Sequence, residues 1–192
     1  MPGYRVRSQQ VSIAGGADLT VRSLLDRQQF SDPLGEAAAA GISEATWPLF
    51  GQLWPSSEKL ADLMQLWKIG GLTVLEIGCG LALASMVVHR RQGDITASDH
   101  HPLAETFLKA NLLLNELPKL KYQTGNWGRE NLALGRFDLI IGGECSMSAA
   151  IRRSSRASLN CTPTQPAKCS SSTRTARTAR RFIGTWRTTD LC

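Results

Sequence analysis

Strands alternating with helices predict a doubly wound, mainly parallel α/β sheet fronted by a β-hairpin. Two observations carry that prediction. A short run rich in β-branched residues lies at Leu72 to Ile77, with further short strand-like runs at Asp94 to Asp99, Lys121 to Thr124 and Phe137 to Ile141, and the first three are separated by segments of helical length. Glycines punctuate the ends of the first and last runs, at Gly78 and Gly80 and at Gly142-Gly143.

The elements follow in chain order. Tyr4 to Ile13 and Leu19 to Leu24, separated by Gly15-Gly16, read as the two arms of a short hairpin. An Ala-rich stretch through Gly41 reads as loop with a helical turn. A helix begins near Trp54-Pro55-Ser56-Ser57, where serines are expected to cap it, and carries Leu60, Leu63, Met64 and Leu66 at helical spacing. Gly70-Gly71 is expected to end it. Leu81 to Arg91 and Pro102 to Leu117 are the next helices, the latter with Leu103, Phe107, Ala110 and Leu114 on one face.

The 192 residues suffice for one ordinary domain, and no apolar stretch approaches the ~20 residues of a bilayer span. The first ten residues lack the apolar core of a secretory leader, and the cysteines follow no disulfide or metal pattern, so a cytoplasmic protein is expected. The net charge of +6 is unevenly distributed: residues 1–144 carry −2, and residues 145–192 carry +8. Two segments are therefore expected, an ordered domain over 1–144 and a basic Ser/Thr/Arg-rich tail over 145–192.

In a sheet of this kind the ligand lies beyond the carboxyl ends of the strands. Three successive ends carry residues suited to a nucleoside. Glu76-Ile-Gly-Cys-Gly80 brings two glycines that let backbone approach a ligand, behind an acid suited to a cationic amino group. Asp99 ends the next strand, 23 residues after Glu76, where a carboxylate can accept from both hydroxyls of a ribose. Asn126-Trp127 offers an amide for a base edge beside a flat apolar surface. Each residue alone has a plainer reading: a tight turn, a solvated strand end, a core tryptophan. A dinucleotide fingerprint needs a third glycine where Leu83 stands, which favours S-adenosyl-L-methionine (SAM) over NAD.

Val74-Leu-Glu-Ile-Gly-Cys-Gly-Leu81, Ala97-Ser-Asp99, Lys109-Ala-Asn111, Gly125-Asn-Trp127 and Phe137 to Glu144 together resemble the class I, seven-β-strand SAM-dependent methyltransferases, with their Rossmann-like sheet. The branch most similar holds protein lysine methyltransferases and small bacterial relatives. Trp54-Pro55 also resembles that branch, in which a tryptophan lies near the cofactor. The resemblance covers roughly residues 4–144 and implies SAM as cofactor. It implies Glu76, Gly78 and Gly80 at the methionine end, Asp99 on the ribose, Asn126 and Trp127 beside the adenine, and Trp54 close by. Relatives often carry Asp-Trp where Asn126-Trp127 stands. Glu144, at the end of the fourth parallel strand, would face the methyl-transfer site. The partner it implies is a methyl acceptor, a protein lysine among the candidates. His100 and His101 read as a solvated pair, and Cys79 as a small packing residue.

Residues 145–192 depart from the family. Cys145, Cys161, Cys169 and Cys192 are spaced 16, 8 and 23 residues apart, unlike a metal site. Ser170 to Arg181 is low-complexity and basic, and could attract nucleic acid non-specifically through its arginines. A non-catalytic nucleic-acid-binding protein is thus the alternative to an enzyme. A further reading explains more. Permissible codons for Glu144 to Ser148, read one base earlier, spell Val-Leu-Tyr-Glu, the family's usual continuation. The same shift lets Lys168 to Thr175 spell Val-Leu-Ile-Val-Asp-Pro-Asn, and Phe182 to Thr188 spell His-Arg-Asn-Met-Ala-Asp. A shifted reading frame after residue 144 is therefore expected. It would leave the sheet incomplete after its fourth parallel strand and catalysis weak.

Overall fold

A computed structural model describes residues 3–125 and 136–143, together with the backbone of Gly184 and Thr185. The hairpin forms as expected: β1 (Val6–Val11) pairs antiparallel with β2 (Leu19–Leu24), Val6 opposite Leu24 and Val11 opposite Leu19. One short helix, α1 (Glu36–Ala39), and a 3-10 helix (Trp47–Gly51) lead into α2 (Pro55–Leu66). Then β3 (Thr73–Ile77), α3 (Leu83–Arg90), β4 (Asp94–Asp99), α4 (Ala104–Leu114), β5 (Lys121–Thr124) and β6 (Leu139–Ile141) follow.

The main sheet has the order β5-β4-β3-β6, all four strands parallel, with β7 (Gly184–Thr185) antiparallel to β6 at its edge. The chain thus runs outward from β3 through β4 to β5, then returns to the other side of β3. In doubly wound sheets such a reversal marks the place, beyond the carboxyl ends of the strands, where a ligand is expected, here between β3 and β6. Asp138 fixes the return: its carboxylate accepts the N–H of Thr73 at 2.9 Å and the Thr73 hydroxyl at 2.8 Å, and its own N–H donates to Thr73 O. These donors hold the Asp138 carboxyl below its ordinary range.

The core is aliphatic around β3 and α3 (Val74, Leu83, Met86) and aromatic around Trp47 and Phe107. Helix α2 packs on α3, whereas α4 carries the hairpin. Asn115 binds both the N–H and the C=O of Thr20 at 2.8 Å, and Asn111 Oδ1 accepts the N–H of Arg22 at 2.7 Å. The two amides, one helical turn apart, occupy the outer edge of β2 much as another strand would.

Several local expectations change. Helix α2 starts without a serine cap, because Pro55 at its first position needs no N–H partner; the Ser57 hydroxyl donates instead to Trp54 O. The helix ends at Leu66, before Gly70-Gly71, and Gly71 at φ +77° makes the turn into β3. The buried face of α4 is Ala104, Phe107, Leu108, Asn111 and Leu112, while Leu114 is exposed. That face turns toward the hairpin, which periodicity could not anticipate.

Candidate functional site

The turn after β3 is unusually tight. Gly78, Gly80 and Ala82 all have positive φ, at +59°, +51° and +58°. Cys79 N–H donates to Ser98 O at 3.0 Å, extending the β3–β4 pairing by one residue. The 3-10 helix lies against this turn: a Cβ on Gly80 would stand 2.8 Å from Phe50 O. Glycine at position 80 is therefore required twice, by conformation and by the approach of neighbouring backbone.

Asp99 closes the turn from the other side. Its Oδ2 accepts the N–H of Gly80 at 2.8 Å, and its Oδ1 accepts the N–H of His101 at 2.9 Å. The residue is 5% exposed. Both oxygens take neutral backbone donors, and His100 Nδ1 stands 3.6 Å from Oδ1. Gly125 N–H donates to Asp99 O at 3.0 Å, so the end of β5 is fastened beside the ends of β3 and β4. Tyr122, which sequence reasoning missed, donates its hydroxyl to the same carbonyl at 3.2 Å. Burial pushes that phenol well above its ordinary value.

Glu76 lies deeper, 2% exposed. Its Oε2 accepts the Ser85 N–H at 2.8 Å and the Ser85 hydroxyl, so the carboxylate caps the first turn of α3. Burial pushes Glu76 up to about 7; the Ser85 hydrogen bonds pull against that rise, and the Asp99 charge adds to it. Among the described residues it forms no ion pair. Ser85 was not singled out from sequence, since nothing in its spacing marks it.

Trp54 precedes α2 and is half-buried. Its Nε1–H donates to Leu49 O at 2.9 Å, and the Arg27 guanidinium stands 4.5 Å from its ring centre. The adjoining Ser56 and Ser57 approach Gly143 beyond β6, within 3.7 Å of where its Cβ would be. The start of α2 therefore borders the carboxyl end of β6.

His100 is exposed, as a solvated histidine would be, but His101 is not. It is 2% exposed, stacked on Phe50 with ring centres 3.7 Å apart, and edge-on to Trp47. Burial pushes its imidazole down to about 3, the neighbouring His100 charge adding to the fall. Its Nδ1 accepts the Leu103 N–H, and its Nε2 is buried without a partner among the described residues. It is a neutral packing group.

The structure thus brings Gly78, Gly80, Asp99 and Gly125 together, with Glu76 behind them. Asn126, Trp127, Glu144 and the tail from Cys145 lie outside the described residues, apart from the β7 backbone. No helix among the described residues is long and apolar enough to cross a membrane.

No protein-family model and no curated protein matches the chain. Solved structures do. The 16S rRNA methyltransferase RsmC of T. thermophilus, in complex with AdoMet and guanosine, superposes with a TM-score of 0.51 at 18% identity, over 82% of this chain and 39% of RsmC. A Streptococcus mutans protein described as a SAM-dependent methyltransferase gives 0.45 at 12% identity, over 69% of this chain and 31% of its own. A Pyrococcus abyssi tRNA (uracil-54, C5)-methyltransferase with S-adenosyl-L-homocysteine gives 0.39 at 11%, over 70% and 27%. At these identities the likeness is one of fold, and of the three only RsmC exceeds a TM-score of one half. The chain spans about two-fifths of the length of RsmC and less of the other two.

Proposed function

We propose, from a fold shared with SAM-dependent methyltransferases, that residues 1–144 form the cofactor-binding part of such an enzyme. The observation that carries this reading is the junction of Gly80 and Asp99 at the tips of adjacent parallel strands, beside the reversal point of the sheet. The residues fit the cofactor. Asp99 is a buried carboxylate held by two backbone N–H groups with His100 Nδ1 3.6 Å away, Gly78 and Gly80 carry no side chain at the turn, and Glu76 meets no cation among the described residues.

When bound, SAM supplies an electrophilic methyl on a sulfonium, transferred in line to an acceptor nucleophile. The chain's own contribution is orientation. Asp99 would take the ribose hydroxyls on lone pairs left by Gly80 and His101. Glu76, Gly78 and Gly80 would receive the methionine end, and Asn126 and Trp127 the adenine, with Trp54 bordering the cleft. Glu144 would lie beside the acceptor. We assign a protein lysine as acceptor on the sequence resemblance alone, and residues 145–192 to a shifted frame on codon arithmetic.

Titrating the chain with SAM, NAD and a DNA oligomer at two salt concentrations tests the reading. SAM binding that is insensitive to salt supports it. DNA binding that falls steeply with salt, without SAM binding, would replace it with the tail-driven alternative. Resequencing the gene around codon 144 tests the shifted frame: a continuous family-like reading after a one-base correction supports it, and its absence removes it.

A further inference from the structure

We propose that Ser85 is a positioning residue for the cationic end of the cofactor, acting through Glu76. The inference rests on the SAM reading and adds to it a residue that the nucleoside-binding pattern does not contain.

Ser85 is fully buried in the first turn of α3. Its N–H and its hydroxyl converge on one oxygen, Glu76 Oε2. Two donors on a single oxygen fix the rotation of the carboxylate, which neither would do alone. Both donors are neutral, so they orient the charge without cancelling it.

Among the described residues the surroundings supply no counter-charge. Asp99, at the end of β4, adds repulsion. Asp94 begins β4 and is paired with Lys121. Asp138 lies at the entry to β6 and is held by Thr73. His89 and Arg90 fall in the last turn of α3, where His89 meets Pro118 O and Arg90 binds Ala17 O and Gln65. Cys79, in the turn, is a buried thiol.

A buried carboxylate that is oriented but uncompensated is most stable when a cation arrives beside it. SAM carries an ammonium at the end opposite its adenine. Ser85 therefore serves this site in two ways: it keeps the carboxylate aimed, and its hydrogen bonds favour the ionised form against the effect of burial. Without the hydroxyl, Glu76 should hold its proton to higher pH and bind the ammonium less well.

Calorimetric titration of the full chain with SAM, S-adenosylhomocysteine and 5′-methylthioadenosine tests this, using wild type, Ser85→Ala, Ser85→Thr and Glu76→Gln. The first two ligands carry the ammonium; the third lacks it. Ser85→Ala should weaken SAM and S-adenosylhomocysteine about tenfold at neutral pH and leave methylthioadenosine within about twofold. It should also move the pH below which SAM binding declines upward, and Ser85→Thr should restore both properties. In Glu76→Gln, adding Ser85→Ala should change SAM affinity little. Equal weakening of all three ligands, or an unmoved pH profile, would show that Ser85 merely supports α3 and would overturn the proposal. Failure of the folded wild type to bind any of the three would instead remove the SAM reading itself.

Discussion

The Gly80 N–H donates to Asp99 Oδ2 at 2.8 Å across the carboxyl ends of β3 and β4. This bond couples the conformation of a turn to the orientation of an acid 19 residues further along the chain. Phe50 O, packed against Gly80, and the Phe50 ring, stacked on His101, close the arrangement from the 3-10 helix. The His101 N–H then returns to Asp99 Oδ1. Three residues from three separate segments, Gly80, Phe50 and His101, thus hold one carboxylate.

Gly80→Ala should break that arrangement. The new Cβ would meet Phe50 O at 2.8 Å, a backbone atom that cannot swing aside, at a φ of +51° that alanine disfavours. Urea unfolding should report a loss of about 1–3 kcal/mol. Gly35→Ala is the control: its φ is also positive, but its Cβ would meet nothing within 4 Å, so only the backbone cost should remain.

Asn115→Ala should loosen the hairpin without unfolding the sheet. It removes two hydrogen bonds to Thr20, for about 1–3 kcal/mol. Hydrogen exchange should show the Thr20 amide losing protection while Leu75 and Ala97, inside the parallel sheet, keep theirs. Equal loss at all three would mean that the hairpin and sheet open as one unit.

Acid stability should carry two opposed contributions. His101 is neutral in the fold, pushed down to about 3 from its ordinary 6.5, so the stability it supports is lost as pH falls through that interval. Glu76 is pushed up from 4.5 to about 7, so its contribution falls as pH rises between those values. The two oppose each other between about pH 4.5 and 6.5. Melting curves should therefore show stability declining with rising pH across that window in His101→Phe, and increasing with pH in Glu76→Gln. Identical profiles for both variants and wild type would contradict the burial of these two groups.

Much of this was legible from residue order. Strand β3 announced itself because it is short, β-branched and bounded by glycine, and Asp94–Asp99 begins and ends where the sequence predicts. The loop glycines were readable because the turn after β3 needs positive φ at Gly78 and Gly80, and Asp99 because an acid at a strand end can accept the N–H groups of adjoining turns. The 3-10 helix Trp47–Gly51 was not, since Trp-Pro-Leu-Phe-Gly has no periodicity and is shaped by packing on Phe107 and His101. Ala82 at positive φ was equally hidden, because alanine gives no sign of that conformation. Ser85 and His101 are ordinary letters made significant by burial. Asn111 and Asn115 carry tertiary bonds to a strand about 90 residues away, a relation no local pattern contains.

The most direct test of the whole account is calorimetric binding of SAM to the intact chain and to Asp99→Ala, with folding checked by circular dichroism. The account predicts saturable binding by the wild type and a loss of about 1.5–3 kcal/mol, tenfold or more, in the variant, because the acceptor removed is charged. A folded wild type that leaves SAM unbound, or an Asp99→Ala variant that binds it equally well, would contradict it.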